Sequence, residues 1–393
     1  MKFEFATDSR IIFGDGASSQ AASLAAEMGR RAFVVTGHSI ERAAPLLEQL
    51  EKQGIRYATF NVSSEPNTSM LKESIEQAHQ AASELVISIG GGSVLDTGKV
   101  IAAMLTNTGE IEDYLEVVGR GKALTCRAAP HIAIPTTAGT GAEVTRNAVI
   151  DALDYGTKVS IRSIFILPTI AIIDPVLTYS MPPSITASTG LDAITQLMEA
   201  YTSVKANPLT DGLCREGLKR AGHSLQKAYE EGSNRSARED MSVASLFSGF
   251  ALANAGLGAV HGIAGPMGGQ ITAPHGVICA RLLPYVMQAN IRCLQIQAPD
   301  SPALSRYDEI AQLLTGRAEA HASDGVDWIQ KLCETLKIPF LAEYGLKEQD
   351  FRTIAAKAQK SSSMKGNPIT LTDDELLQIL RKGCIFKKEI QSF

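Results

Sequence analysis

The residues best placed to do chemistry lie in two stretches. Residues 190–201 read GLDAITQLMEAY, and residues 260–276 read VHGIAGPMGGQITAPHG. In the first, Asp192 and Gln196 are four residues apart, so on a helix both project from one face and can offer two groups to one ion. In the second, His261 and His275 flank a Gly-Pro-Met-Gly-Gly run, a bend able to fold both rings toward one point. A carboxylate is a hard ligand and imidazole a borderline one, and together they suit a divalent transition metal. Gln196 is the odd member, because its amide oxygen can coordinate but carries no charge. Spacing alone favours a first-turn helix acid and two hydrogen-bonded core histidines over a metal site.

Two glycine-rich loops suggest a second binding function. Gly90-Gly91-Gly92-Ser93 follows the apolar run LVISI and opens a helical stretch. Glycines there let the backbone approach a phosphate, and the free N–H groups of the helix start bind the anion. Residues 135–145, PTTAGTGAEVT, add Thr136, Thr137 and Thr140 between glycines at the end of another apolar run. Ligands of open α/β sheets bind outside such strand ends. The pair therefore points to a nucleotide or dinucleotide, although neither loop is a G-x-G-x-x-G or a P-loop. After an earlier strand comes Gly37-His38-Ser39. An acid at that place holds a ribose 2′-hydroxyl and repels a 2′-phosphate. Gly37 supplies none, which leaves room for NADP, with His38, Ser39 and Arg42 as phosphate partners.

The elements that must position these groups divide in two. Up to residue 174, β-branched runs (11–13, 32–36, 57–60, 85–89, 131–134, 147–151, 171–173) alternate with helical stretches (18–28, 44–53, 70–82, 94–104). Near-continuous apolar strands between helices imply a parallel sheet covered on both faces. Residues 151–157 read as a turn. After Asp174-Pro175 helical periodicity dominates, over 187–203, 209–230, 237–255, 307–314, 326–336, 348–360 and 372–382, with Ser184 expected as the N-cap of the first helix. The expected division is 1–181 for the α/β domain and 182–393 for the helical one.

Composition limits the function classes. The 393 residues are too many for one ordinary core. A net charge of −5 without a basic cluster argues against nucleic acid. Neither a signal peptide nor an apolar run of the roughly 20 residues needed to span a bilayer is expected. The six scattered cysteines read as reduced thiols of a cytoplasmic protein.

The motifs, taken in order, resemble those of the iron-containing (group III) alcohol dehydrogenases. That family shows GGGS-x-x-D, PTTAGTG-x-E-V-T, A-I-x-D-P, G-x-D-A-x-x-H-x-x-E-A-Y and a histidine-rich segment ending in P-H-G. This chain has GGGSVLD (90–96), PTTAGTGAEVT (135–145), AIIDP (171–175), GLDAITQLMEAY (190–201), VHGIAGPMGG (260–269) and APHG (273–276), with Gly366-Asn367-Pro368 in the tail. The resemblance implies a Rossmann-like dinucleotide-binding α/β domain followed by an all-α domain, the dehydroquinate synthase-like architecture. It places NAD or NADP over Gly91, Gly92 and Ser93. It gives further contacts at Asp96, Thr136, Thr137, Thr140, Thr145, Asn147 and Lys158, and a homodimer or larger homo-oligomer. The family's metal ligands fall on Asp192, Gln196, His261 and His275, for Fe2+ or Zn2+. Two positions depart from the pattern: Gln196 stands where a histidine is usual, and Gly265 where a second histidine commonly follows the first. Losses of this kind typically cost about 10–100-fold in metal affinity or activity.

Three functions follow. The first is an NAD(P)-dependent oxidoreductase interconverting an alcohol and an aldehyde or ketone, with metal assistance from the altered Asp/Gln/His/His site and with Asp192, His261 and His275 in catalytic roles. The second is a metal-independent carbonyl reductase of the maleylacetate reductase kind, with a protonated histidine delivering the proton. The third is a nucleotide-binding protein with little activity.

Overall fold

The computed structural model describes residues 2–152, 155 and 157–384, and the chain divides into two compact units. In the unit Ala6–Ser180, six strands form one sheet. They are β1 (Arg10–Phe13), β2 (Arg31–Thr36), β3 (Arg56–Asn61), β4 (Leu85–Gly90), β5 (His131–Pro135) and, after a separate hairpin of β6 (Asn147–Ala152) and β7 (Thr157–Arg162), β8 (Ile170–Ile173). The spatial order is β1-β8-β5-β4-β2-β3, with every pairing parallel. All residues of β4, β5 and β8 are buried, as expected for strands covered on both faces.

The helices of this unit are α1 (Ala21–Met28), α2 (Ala44–Lys52), α3 (Thr68–Gln80), α4 (Gly92–Met104) and the short α5 (Ile111–Tyr114). Strand side chains alternate between the two faces. Val34, Ile87, Ile132 and Ile172 pack with Ala21, Leu24, Leu46 and Leu50 of α1 and α2. Phe33, Val35 and Val86 pack with Ala78 of α3 and Ile101 of α4. Gly98 lets α4 lie directly on the sheet, because a Cβ there would sit 1.8 Å from Ser88 Oγ.

One strand reading needs correction. Residues 147–151 are not part of the parallel sheet; β6 pairs antiparallel with β7, from Asn147↔Arg162 to Ala152↔Thr157. Alternating burial along β6 marks a half-covered ribbon, a pattern that cannot name its partner. The turn expected over 151–157 lies partly outside the described residues.

The other unit runs from Met181 onward and includes the first residues of the chain, where Phe5 packs on Phe250 at 6.4 Å between ring centroids. Its helices are α6 (Pro183–Thr202), α7 (Pro208–Glu230), α8 (Arg235–Ala255), α9 (Ala259–Gly268), α10 (His275–Gln297), α11 (Pro302–Thr315), α12 (Ala322–Thr335), α13 (Glu348–Ala358) and α14 (Asp373–Cys384). No single helix among the described residues is long and apolar enough to cross a membrane. α6 is central, packed against α7, α8 and α10. Gly190 admits Leu225 of α7, and Gly217 of α7 admits Leu197. Ser184 does not cap α6; the helix starts at Pro183 with Pro182 before it and no side-chain cap, since proline's fixed φ suits the first helical position. α9 and α10 contain Pro266 and Pro284, whose breaker character hid both helices from the sequence reading.

Because Gly98 has no room for a side chain, Gly98→Ala should lower unfolding stability by about 1–3 kcal/mol, the range for overpacking a filled site. Chemical denaturation measures this, and an unchanged midpoint would show that α4 can lift off the sheet freely.

Candidate active site

The two glycine-rich loops of the α/β unit are placed by strand register. Gly90 at the end of β4 is opposite Pro135 at the end of β5, and Thr36 of β2 is opposite Ile89. The Thr136 N–H donates to the Gly90 carbonyl at 2.9 Å. Loops leaving at one level must lie side by side. A Cβ on Gly92 would be 3.0 Å from Thr140 Cγ2, and one on Gly91 3.5 Å from Thr137 Cγ2. Gly37 stands beside the first turn of α4, 3.7 Å from Val94 Cγ2 by the same measure. The chain goes outward from β2 to β3 and returns past β2 to β4, so the winding reverses between β2 and β4. Such a reversal opens a crevice at the carboxyl ends of the strands. α4 begins there with extended Gly91 and no side-chain cap, and Ser93 lies in its first turn.

Asp96, Thr145 and Asn147 come together around a residue that the motif reading passed over, the fully buried Lys99. Its Nζ donates to Asp96 Oδ1 (3.0 Å), Thr145 Oγ1 (2.7 Å) and the Asn147 carbonyl (2.8 Å). The other Asp96 oxygen accepts the Val149 N–H at 3.0 Å. Asp96 and Thr145 thus brace the loop from within. Lys158 stands apart from this network, paired to Glu65 Oε2 at 3.0 Å. His38, Ser39 and Arg42 are exposed. Within the threonine loop, burial pushes the Glu143 carboxyl up to about 7, against the opposing charge of Lys99.

The second cluster lies in the helical unit. Asp192, Gln196 and Glu199 follow one face of α6, and all three are buried. Glu199 organises the start of α9: its Oε1 accepts the Val260 N–H (2.6 Å) and its Oε2 receives His261 Nδ1 (2.6 Å). Beside it Asn367 Oδ1 accepts the Ala259 N–H at 3.1 Å, so the tail motif caps this helix. With its Nδ1 proton held by Glu199, the His261 ring turns Nε2 inward, the arrangement a metal-binding histidine needs. Asp192 Oδ1 is buried without a hydrogen bond, 3.4 Å from His261 Nε2 and 3.9 Å from His275 Nε2. His275 opens α10, where Gly276 allows close contact with α6; a Cβ there would lie 2.4 Å from the Ser188 carbonyl oxygen.

Gln196 does not face this cluster with a lone pair. Its Nε2 donates to Asp192 Oδ2 (3.0 Å) and its Oε1 accepts from Ser248 (2.8 Å). A fourth group, Cys279, completes the cluster. Its Sγ lies 3.5 Å from His275 Nε2 and 3.8 Å from His261 Nε2, and the donor atoms of Asp192, His261, His275 and Cys279 all fall within 4.8 Å of one another. Burial would raise the Asp192 carboxyl, but the contact with His261 and the charges of both histidines hold it below the usual carboxylate range. Burial would likewise lower His261, yet Cys279, Glu199 and Asp192 raise it well above the ordinary histidine value; Cys279, opposed by burial, raises His275. A second histidine after His261 is absent, and a Cβ on Gly265 would meet nothing within 4 Å.

Sequence reasoning missed Glu199, Lys99 and Cys279. Glu199 is seven residues after Asp192, two turns along the same face. Lys99 follows Asp96 by three. Cys279 follows His275 by four, but residues after His275 were not read as helix, so the spacing carried no meaning.

The chain combines two structural classes, an α/β unit with a glycine- and threonine-lined crevice and a helical unit with a buried donor cluster. Family comparison makes the class specific. Residues 8–175 match the iron-containing alcohol dehydrogenase model, and residues 186–384 match the model for the C-terminal part of the Fe-containing alcohol dehydrogenase family. The chain belongs to this family, and it is an alcohol dehydrogenase-type enzyme. It is 35% identical to alcohol dehydrogenase 4 of Saccharomyces cerevisiae, with 95% of this chain and 96% of that one covered. It is 33% identical to 1,3-propanediol dehydrogenase of Klebsiella pneumoniae, covering 90% and 92%. Among solved structures, a 1,3-propanediol oxidoreductase superposes with a TM-score of 0.90 at 32% identity, covering 98% and 100%. The sulfoacetaldehyde reductase of Bifidobacterium kashiwanohense, solved with NAD+, gives 0.86 at 29%, covering 98% and 99%.

Glu143 supplies a pH test. Its folded pKa is raised, so its favourable contribution is present below about 4.5 and is lost as pH rises through about 7. Glu143→Gln removes that titration. Thermal melts should show the variant gaining on the parent by up to about 3 kcal/mol between pH 5 and 8. A gap independent of pH would mean that Glu143 does not titrate there.

Proposed function

We propose that the protein interconverts an alcohol and an aldehyde or ketone by hydride transfer with NAD(P), assisted by a divalent metal ion held by Asp192, His261 and His275. The observation that carries this is the hydrogen-bond-free Asp192 Oδ1, with two ring nitrogens turned toward it. A buried carboxylate oxygen without a donor is costly and is ordinarily paired. The bound ion would polarise the substrate oxygen and lower an alcohol's pKa.

The chain's own groups have separable tasks. Gln196 fixes the Asp192 carboxylate through Oδ2 and leaves Oδ1 for the ion. Glu199 sets the His261 tautomer. His275, with 34% of its side chain exposed, is the member of the set that a substrate can reach. The crevice at Gly91, Gly92, Thr137 and Thr140 takes the dinucleotide phosphates. Five of the six free cysteines are buried, which suits a reducing compartment such as the cytoplasm.

Raised histidines also suit the metal-free reductase, in which a protonated ring polarises the carbonyl. Metal content and aldehyde reduction, measured before and after chelation, separate the two. The expected outcome is about one ion per chain, loss of turnover on chelation and its return with metal. Full turnover in metal-free protein would establish the histidine route, and no turnover with any aldehyde would leave only nucleotide binding.

Gly37 places no carboxylate at the end of β2, so NADPH should be accepted at least as well as NADH. Comparison of kcat/KM for the two cofactors checks this, and strict NADH use would refute it.

A further inference from the structure

We infer that Cys279 is the fourth metal ligand in this chain, supplying from α10 the donor that Gln196 cannot supply from α6, and that the resulting carboxylate–imidazole–imidazole–thiolate set selects a zinc-type ion over iron. The inference rests on the metal-assisted reading above and specifies its ligands.

Geometry favours the substitution. Tetrahedral ligands at zinc-type bond lengths of 2.0–2.3 Å stand about 3.3–3.8 Å apart. The donor separations are 3.4 and 3.9 Å from Asp192 Oδ1 to the two ring nitrogens, and 3.5 and 3.8 Å from Cys279 Sγ to the same nitrogens. Four of the six separations among these groups, which come from three helices, thus approach the edges of one coordination tetrahedron, and the other two are within 4.8 Å.

Gln196 is held away from the role. Its amide nitrogen donates to Asp192 Oδ2, and an NH₂ group has no lone pair to give a cation. Turning the amide over would set its oxygen against that carboxylate oxygen. Asp192 therefore fixes the amide orientation that makes Gln196 a positioning residue.

The spacing explains the exchange. One helical turn separates Asp192 from residue 196, where the family pattern has a histidine, and one turn also separates His275 from Cys279. A pair of ligands on one helix face is lost from α6 and regained on α10. The exchange changes the chemistry, because carboxylate plus thiolate carry two negative charges and neutralise a divalent ion, whereas carboxylate with neutral ligands leaves it one positive charge. Thiolate is also the soft donor that favours zinc, and iron(II) precedes cobalt and zinc in affinity order.

Cobalt(II) titration of the metal-free, reduced full-length protein tests the ligand directly. The expected result is one equivalent bound, with a sulfur-to-cobalt charge-transfer band in the near ultraviolet and the intense visible bands of a tetrahedral ion. Cys279→Ala should abolish the charge-transfer band and weaken binding by about 10-fold or more. Adding Gln196→His to that variant should restore tight binding without the band. Protein loaded from equal iron(II) and zinc should carry zinc. One equivalent of cobalt without the sulfur band in the parent protein overturns the ligand assignment and leaves the metal-assisted function standing. This outcome does not require any variant to fold. Folded parent protein that binds no cobalt yet turns over overturns both, and retention of iron from the mixture overturns the ion preference.

Discussion

A largely buried helix that carries two carboxylates and an amide along one face constrains the whole helical unit. α6 contains Asp192, Gln196 and Glu199, all inside the protein. Buried carboxylates and amides must be hydrogen-bonded or held by a cation. Their partners come from elsewhere in the chain: Ser248 of α8 for Gln196, and the Val260 N–H and His261 ring of α9 for Glu199. Asn367 from the tail joins the same start of α9 and exchanges amide hydrogen bonds with Asn290 of α10. Glycines occur where these elements come close: Gly258 beside Glu199 and Asn367, and Gly276 beside the α6 backbone. The donor cluster is what remains when that pairing has been satisfied around α6 and one carboxylate oxygen has not.

The α/β unit reaches its site by another route. Parallel register places the crevice. Because Gly90 and Pro135 are paired residues on adjacent strands, the loops that follow have to share one edge, and their glycines and threonines interlock. Small residues in this region serve packing as much as binding. Gly98 seats α4 on β4, and a Cβ at Gly90 would strike Val94 at 2.5 Å.

Much of this was legible in the chain. Apolar runs located all six strands of the sheet, three of them ending in glycine, and both loops. The i, i+4 spacing found the helix face with Asp192. What periodicity missed depended on local signals overruled by packing. Pro266 and Pro284 look like breakers, but both sit inside helices whose apolar faces are buried, and the helix α10 that they concealed contains Cys279. Spacing offers Gln196 only as an uncharged ligand, whereas its amide nitrogen donates to Asp192. Its partner Ser248 lies 52 residues away, beyond any pattern in one sequence. β6 failed differently: alternation identified a strand, but only the neighbouring β7 decides whether it joins a sheet or forms a ribbon.

Lys99 has one further consequence. Its ammonium is wholly enclosed and donates to Asp96, Thr145 and the Asn147 carbonyl, tying the helix after the first loop to the far end of the second. A loop fixed from beneath in this way loses its conformational freedom when the chain folds and has little left to lose when a ligand arrives. Ordering a flexible segment at an interface costs about 0.5–1.5 kcal/mol for each immobilised side chain. In this protein that cost belongs to folding, so the threonine loop is preorganised and need not assemble each time a ligand arrives.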